Sequence, residues 1–214
     1  MLLAALGDIH GNLPAFDAVL GAIDDMGIQT IVNTGDCVAG HSWPNEVIDR
    51  LRSRAIHSVQ GEMDRLAVRF VRKHDTLKKR CPAKEFEDLR WTYEHTRSDN
   101  LEFLRALPAQ RTLKVEGETI YLCHGIGPRQ LDALHESDDA CRFRRLREIA
   151  CADMIIAGRT HASFARWVDD TLFVNPGAVG APVGEGAEAC FAAIDTETEP
   201  WETRFHSVAY EPAV

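Results

Sequence analysis

An aspartate and a histidine stand two residues apart at Asp8 and His10. Further oxygen and nitrogen donors follow in Gly35-Asp36, Gly61-Glu62-Met63-Asp64, His124-Gly125 and Gly158-Arg159-Thr160-His161. Asp8 and His10 enter one cleft if they end a strand and the chain turns at Gly7 and Gly11, so that an oxygen and a nitrogen donor meet on one borderline-hard cation. Singly, each motif has an ordinary explanation. Gly35-Asp36 reads as a turn and a helix cap, and an isolated His124 or His161 reads as a hydrogen-bonded, partly buried histidine. Jointly, their order, their placement after strands and the glycine beside every candidate ligand point to a metal centre.

Such a centre needs elements that bring distant loops together. Residues 2–7 form a short, nearly continuous apolar run, as in a strand buried on both faces. Leu13, Phe16, Leu20 and Ile23 mark one helix face, with Pro14 tolerated in the first turn. A second strand is expected at 30–33, a helix from Pro44 through Val47, Ile48 and Leu51, and a third strand at 55–60. This βαβαβ rhythm predicts a parallel sheet, and ligands of open α/β sheets bind beyond the carboxyl ends of the strands.

The rhythm breaks after Asp64. Residues 65–107 predict two or three helices, with Phe86, Leu89 and Tyr93 on one face, and Leu101, Leu104 and Leu107 on another behind a Ser98-Asp99 cap. They read as a helical insertion beside the site. Strands are expected at 112–115 and at 119–123, the latter delivering His124. A helix through Phe143, Leu146 and Ile149 precedes a strand at 154–157 that delivers His161. Three more strands, at 164–168, 171–174 and 189–194, and an edge around Phe205 and Val208 close the chain.

At 214 residues, with 45% hydrophobic and 27% charged residues, the sequence suits one globular α/β domain over 1–214. The apolar opening ends at Gly7-Asp8 without a basic lead, and no stretch approaches the ~18 apolar residues of a membrane span. A cytoplasmic location with no membrane partner is expected. Six cysteines without a C-x-x-C pair read as reduced, mostly buried thiols. A net charge of −9 argues against broad nucleic-acid binding, but not against a small phosphate substrate. The oligomeric state is open.

The five motifs combine with Gly-Asp-x-Val-x-Gly at 35–40, Pro44-Asn45-Glu46-Val47-Ile48 and Asn175-Pro176-Gly177-Ala178-Val179-Gly180. Over nearly its whole length the chain thereby resembles the calcineurin-like metallophosphoesterase superfamily, particularly its small prokaryotic phosphodiesterase-like members. The resemblance implies two packed mixed β-sheets flanked by helices, a four-layer α/β/β/α sandwich, around two metals bridged by an aspartate and a hydroxide. It implies that Asp8, His10, Asp36 and His161 form the first metal site, with Asp36 reaching towards the second. It also implies structural hydrogen bonding by Asn175.

The resemblance assigns the second site Asp36, an Asn, the His of His-Gly, and the first His of Gly-His-x-His. This chain keeps Asp36 and His124 but has Glu62 in place of the Asn and Arg159 in place of the His. Met63 stands where many members carry a His or Cys that stabilises the transferred phosphoryl group. Arg159 stays protonated and has no lone pair to donate. Glu62 either ligates a hard cation in a carboxylate-rich second site or pairs with Arg159 where that cation would lie. The pair is the favoured reading, since a guanidinium beside a dication is repelled.

The expected activity is hydrolysis of a small phosphodiester or phosphomonoester by metal-activated water, with Mn, Fe, Zn or Ni as cofactor and one ion rather than two. His124 and Arg159 would stabilise phosphoryl charge, or His124 would protonate the leaving group. The alternative is a weakly active or inactive member serving as a binding or scaffold protein. The basic residues between Arg65 and Arg80 read as a solvated helix face, and Gly125-Ile126-Gly127-Pro128-Arg129 as a stiff loop or plain turn.

Overall fold

The computed structural model describes residues 2–127, 132–181 and 188–211. Its first half runs β1 (Leu2–Leu6), α1 (Leu13–Asp25), β2 (Thr30–Asn33), α2 (Pro44–Ser53), β3 (His57–Ser58), α3 (Glu62–Ala67), α4 (Phe70–Arg80), α5 (Ala83–His95) and α6 (Ser98–Ala106). The second half runs β4 (Gln110–Val115), β5 (Glu118–Cys123), α7 (Ala140–Ala150), β6 (Met154–Ala157), β7 (Phe164–Val168), β8 (Thr171–Asn175), β9 (Ala189–Asp195) and β10 (Glu202–Val208). No helix among these residues is long and apolar enough to cross a membrane.

The strands form two mixed five-stranded sheets, ordered β10-β9-β1-β2-β3 and β4-β5-β6-β8-β7. β1, β2 and β3 are parallel, as are β5, β6 and β8, and antiparallel strands complete each sheet. Strand side chains alternate between faces, and the core is partitioned accordingly. Leu3 and Ala5 of β1 meet Ile120, Leu122, Met154 and Ile156 between the sheets. Ala4 and Leu6 face the layer of α1 and α2, through Phe16, Val19 and Ile48. Ile155 and Ala157 face α7, through Phe143 and Leu146. The result is the expected four-layer α/β/β/α sandwich.

Several local expectations need correction. The third strand is two residues long rather than 55–60. Ala55 adopts a left-handed φ of 49°, and the Gln60 N–H leaves the sheet to donate to Pro108 O at 2.8 Å. The helical segment begins at Glu62 and holds four helices, because Asp64 reaches back to the Gly61 N–H at 3.0 Å and caps α3 inside the motif itself. Ser98 opens α6 without capping it. Ile149 is 68% exposed. Six residues beyond Phe143 a helix has turned ~600°, which swings Ile149 roughly 120° off the buried face.

Candidate metal centre

The loops after β1 and β2 run side by side. Asp8 N donates to Gly35 O at 2.9 Å, His10 N to Asp36 O at 2.9 Å, and Gly11 N to Cys37 O at 2.8 Å. The segment after β8 passes beneath them, with Val179 N donating to Gly7 O and Gly180 N to Asp8 O. Backbone approach is close enough to exclude a side chain: a Cβ on Gly61 would lie 2.1 Å from Asp36 N. Asn175 joins two further turns, donating to Gly158 O at 3.0 Å and Thr160 Oγ1 at 2.9 Å and accepting from Gly177 N at 3.0 Å.

Strain collects at this point. Asp8, His10, Asp36, Arg159 and His161 all hold left-handed φ values between 52° and 77°. That region costs a residue with a Cβ about 1 kcal/mol or more, and such costs persist where surrounding contacts enforce them.

Two overlapping donor sets result. Asp8, His10 and His161 bring ligand atoms within 4.8 Å of one another, and so do Asp8, Asp36 and His124. Asp8 is thus common to both sets, whereas the resemblance gives the reach towards the second site to Asp36. Asp36 accepts from Met63 N at 2.7 Å and approaches His124 Nε2 at 3.3 Å. Asp64 is an anchor rather than a ligand, accepting from Cys37 N at 2.8 Å, Val38 N at 3.2 Å and Gly61 N at 3.0 Å.

The two replaced positions meet. Arg159 Nη1 donates to Glu62 Oε2 at 2.5 Å, both side chains being about one quarter exposed. Arg65 brings a second guanidinium to Glu62 Oε1 at 3.6 Å. Its place in a generally basic helical stretch hides this role in the sequence. Met63 contributes its backbone N–H to the site. Pro128 and Arg129 of the loop after His124 lie outside the described residues.

Electrostatics follow from crowding. Burial opposes ionisation of Asp36, but the charges of His124 and His10 outweigh it and hold the carboxyl far below its usual range. Burial, then the neighbouring Asp36 charge, pushes Asp64 up to about 6. Burial also opposes protonation of His124, yet Asp36, Asp8 and Asp64 together raise it to about 9. His161 is raised as well, with burial overcome by Asp8.

The family model described as the calcineurin-like phosphoesterase superfamily domain matches residues 1–199. The chain belongs to this superfamily. Among calcineurin-like relatives, phosphodiesterase YfcE of Escherichia coli is 26% identical over 199 residues, covering 92% of this chain and 89% of that protein. An uncharacterised protein of Methanocaldococcus jannaschii is 25% identical over 205 residues, covering 85% and 77% respectively. A hypothetical protein of Pyrococcus horikoshii shares the calcineurin-like fold at a TM-score of 0.87, with 22% identity, over 98% of this chain and 88% of that one.

Membership of the calcineurin-like superfamily implies a divalent metal, and the residues present fit one. Each of the three histidines gives its Nδ1–H to a backbone carbonyl: His10 to Ala39 at 2.8 Å, His124 to Thr34 at 3.1 Å and His161 to Ala181 at 2.8 Å. When neutral, a histidine so held carries its lone pair on Nε2, the arrangement expected of a ligating histidine. His10 Nε2 and His161 Nε2 face each other at 3.4 Å. Two tetrahedral donors at ~2.05 Å from one ion would stand about 3.3 Å apart. Asp8 Oδ1 and His124 Nε2 are buried without a hydrogen-bond partner, a cost that a cation would relieve.

Proposed function

We propose that the protein hydrolyses a small phosphodiester or phosphomonoester with a divalent cation held by Asp8, His10, Asp36 and His161. The observation that carries this reading is the meeting of His10 Nε2 and His161 Nε2 at 3.4 Å beside Asp8 Oδ1, which has no hydrogen-bond partner. A bound cation supplies positive charge that acidifies water and polarises a phosphoryl oxygen. Mn, Fe, Zn and Ni all suit mixed nitrogen and oxygen ligation.

Arg159 binds and orients. Its Nη1 is held by Glu62, and a guanidinium's remaining N–H groups are free to take two phosphoryl oxygens in a planar, charge-assisted grip. The Arg159 N–H, 3.2 Å from Asp8 Oδ2, fixes that carboxylate so that Oδ1 turns into the site. His124 is fully buried and its Nε2 faces Asp36, so it is not placed to protonate a leaving group and instead offers its Nε2 to the same ion, beside Asp8 and Asp36. Glu62 is committed to two guanidiniums, which favours one firmly held ion over two.

The Glu62–Arg159 pair also suits a member that has drifted towards binding, and one experiment separates the readings. Metal content is measured, and bis(p-nitrophenyl) phosphate and p-nitrophenyl phosphate are offered with each of the four metals. Turnover that needs metal and is lost in Asp8→Asn and His161→Ala supports hydrolysis. Retained metal without turnover of either ester would favour the binding protein.

A further inference from the structure

The arginines of this chain are generally neutralised. Arg50 pairs with Asp17, Arg54 with Asp24, Arg97 with Asp49, Arg142 with Asp132 and Arg144 with Asp169. Arg69, Arg72 and Arg105 are different: among the described residues their guanidiniums, like those of Arg80 and Arg145, have no carboxylate or hydrogen-bond partner, and all three are exposed. They nevertheless line one cavity of about 400 Å³, with Gln60 and Val68. In a chain of net charge −9, acidic partners are not scarce, so three guanidiniums left bare around one concavity is a local arrangement that wants an anion.

The cavity is tied to the metal centre. Gln60 and Arg69 also line an adjoining space of about 500 Å³ together with Gly61, Glu62 and Arg65, and Glu62 holds Arg159. A line of cations, Arg65, Arg69 and then Arg72 and Arg105, therefore leads away from the guanidinium that borders the metal ligands. Its wall is braced, because Gln60 donates from Nε2 to Leu104 O at 2.7 Å and from its N–H to Pro108 O at 2.8 Å. These bonds fix α6, which carries Arg105, against the end of β3.

We infer that Arg69, Arg72 and Arg105 form a second anion subsite, which receives a phosphate remote from the ester being hydrolysed. The substrate is then a small phosphoester bearing a second phosphate. This assignment rests on the hydrolytic reading above and adds the chemistry of the substrate's far end. Guanidiniums grip phosphate oxygens in a bidentate manner and desolvate more readily than ammonium groups. A nucleic-acid strand fits less well. Among the described residues no aromatic side chain lines this cavity to stack a base, and the overall negative charge disfavours a long polyanion.

The test uses inorganic tripolyphosphate and chelator-treated full-length protein, so that binding is read by calorimetry without metal or turnover. Binding is expected, and Arg69→Ala with Arg72→Ala and Arg105→Ala should weaken it at least about tenfold, given the strength of hydrogen bonds to charged groups. The corresponding lysine variants should retain part of it, and thermal melting verifies folding of each. With metal restored, the preference for a nitrophenyl ester carrying a second phosphate over bis(p-nitrophenyl) phosphate should fall in the alanine variant. Equal tripolyphosphate binding by parent and alanine variant, or none by either, would overturn the subsite. A short oligothymidylate binding more tightly than tripolyphosphate through the same arginines would overturn the small-molecule assignment. Hydrolysis of the simple ester without tripolyphosphate binding would leave the hydrolytic reading intact and sink this inference. Binding without any hydrolysis would do the reverse to the hydrolytic reading while the anion site stands.

Discussion

Arg159 and Glu62 pair at the edge of the donor cluster, next to Asp8. They are a quarter exposed, so the pair is worth less than the ~3–5 kcal/mol lost on breaking a buried pair and more than the ~0–1 kcal/mol of a surface one. Arg159→Ala is expected to cost about 1–2 kcal/mol in urea denaturation and to reduce turnover more than tenfold. Glu62→Asn combined with Arg159→His should raise metal content towards two ions per chain by elemental analysis, and an unchanged content would count against the pair as the reason for one. His124 gives a pH test. Its folded value of about 9 lies above the ordinary ~6.5, so in metal-free protein its stabilisation is complete below about pH 6.5 and is lost as pH rises towards 9. A cation takes the same Nε2 lone pair, so metal-loaded protein should show no such fall over that window in denaturation midpoints. Asp8, His10, Asp36, His124 and His161, which the structure gathers into two overlapping groups, were legible in the sequence as candidate donors because ligand chemistry resides in side chains. The carbonyls of Thr34, Ala39 and Ala181 that orient the histidines were not, since any residue supplies a carbonyl.

Among the elements, α3 does most with least. Six residues long, it turns Glu62 onto Arg159, gives the Met63 N–H to Asp36, and through Asp64 gathers the loop after β2. Its start depends on Gly61, where an added Cβ would meet the Asp36 backbone and carboxylate. Gly61→Ala is accordingly expected to destabilise by about 1–3 kcal/mol as an overpacking change, and to lower metal affinity by displacing Asp36. Calorimetric titration with Mn checks it, and an unperturbed affinity would show that Asp36 does not depend on this contact. The helical period of residues 70–106 was readable from apolar spacing, whereas α3 was not: a helix this short has no periodicity to detect, and its capping carboxylate looked like part of a ligand motif. β3 was overread for the complementary reason, since the residue pattern at 55–60 cannot reveal that Gln60 turns away to Pro108.

At the scale of the molecule, the parallel strands were legible in the βαβαβ rhythm and in apolar runs such as those of β1 and β6, whereas the two-sheet sandwich was implied only by the family resemblance of the motifs. Which loops meet across the sandwich is a matter of sheet packing and is absent from any local pattern. Asp8, His10 and Asp36 follow strands of one sheet, while His124 and His161 follow strands of the other. An ion shared among them would stabilise the folded state by mass action, about 2.7 kcal/mol at a free concentration 100 times its dissociation constant. Chelation should therefore lower the melting temperature, and hydrogen exchange should quicken in β1 and β6 together rather than in one sheet alone. Exchange confined to the loops would contradict that coupling. Asp8 and His161 are separated by most of the chain, so an ion held between them would close a very long ring of polypeptide. It would act as a reversible cross-link, added to the β1–β9 ladder and the inter-sheet core that already tie the two ends of the chain together.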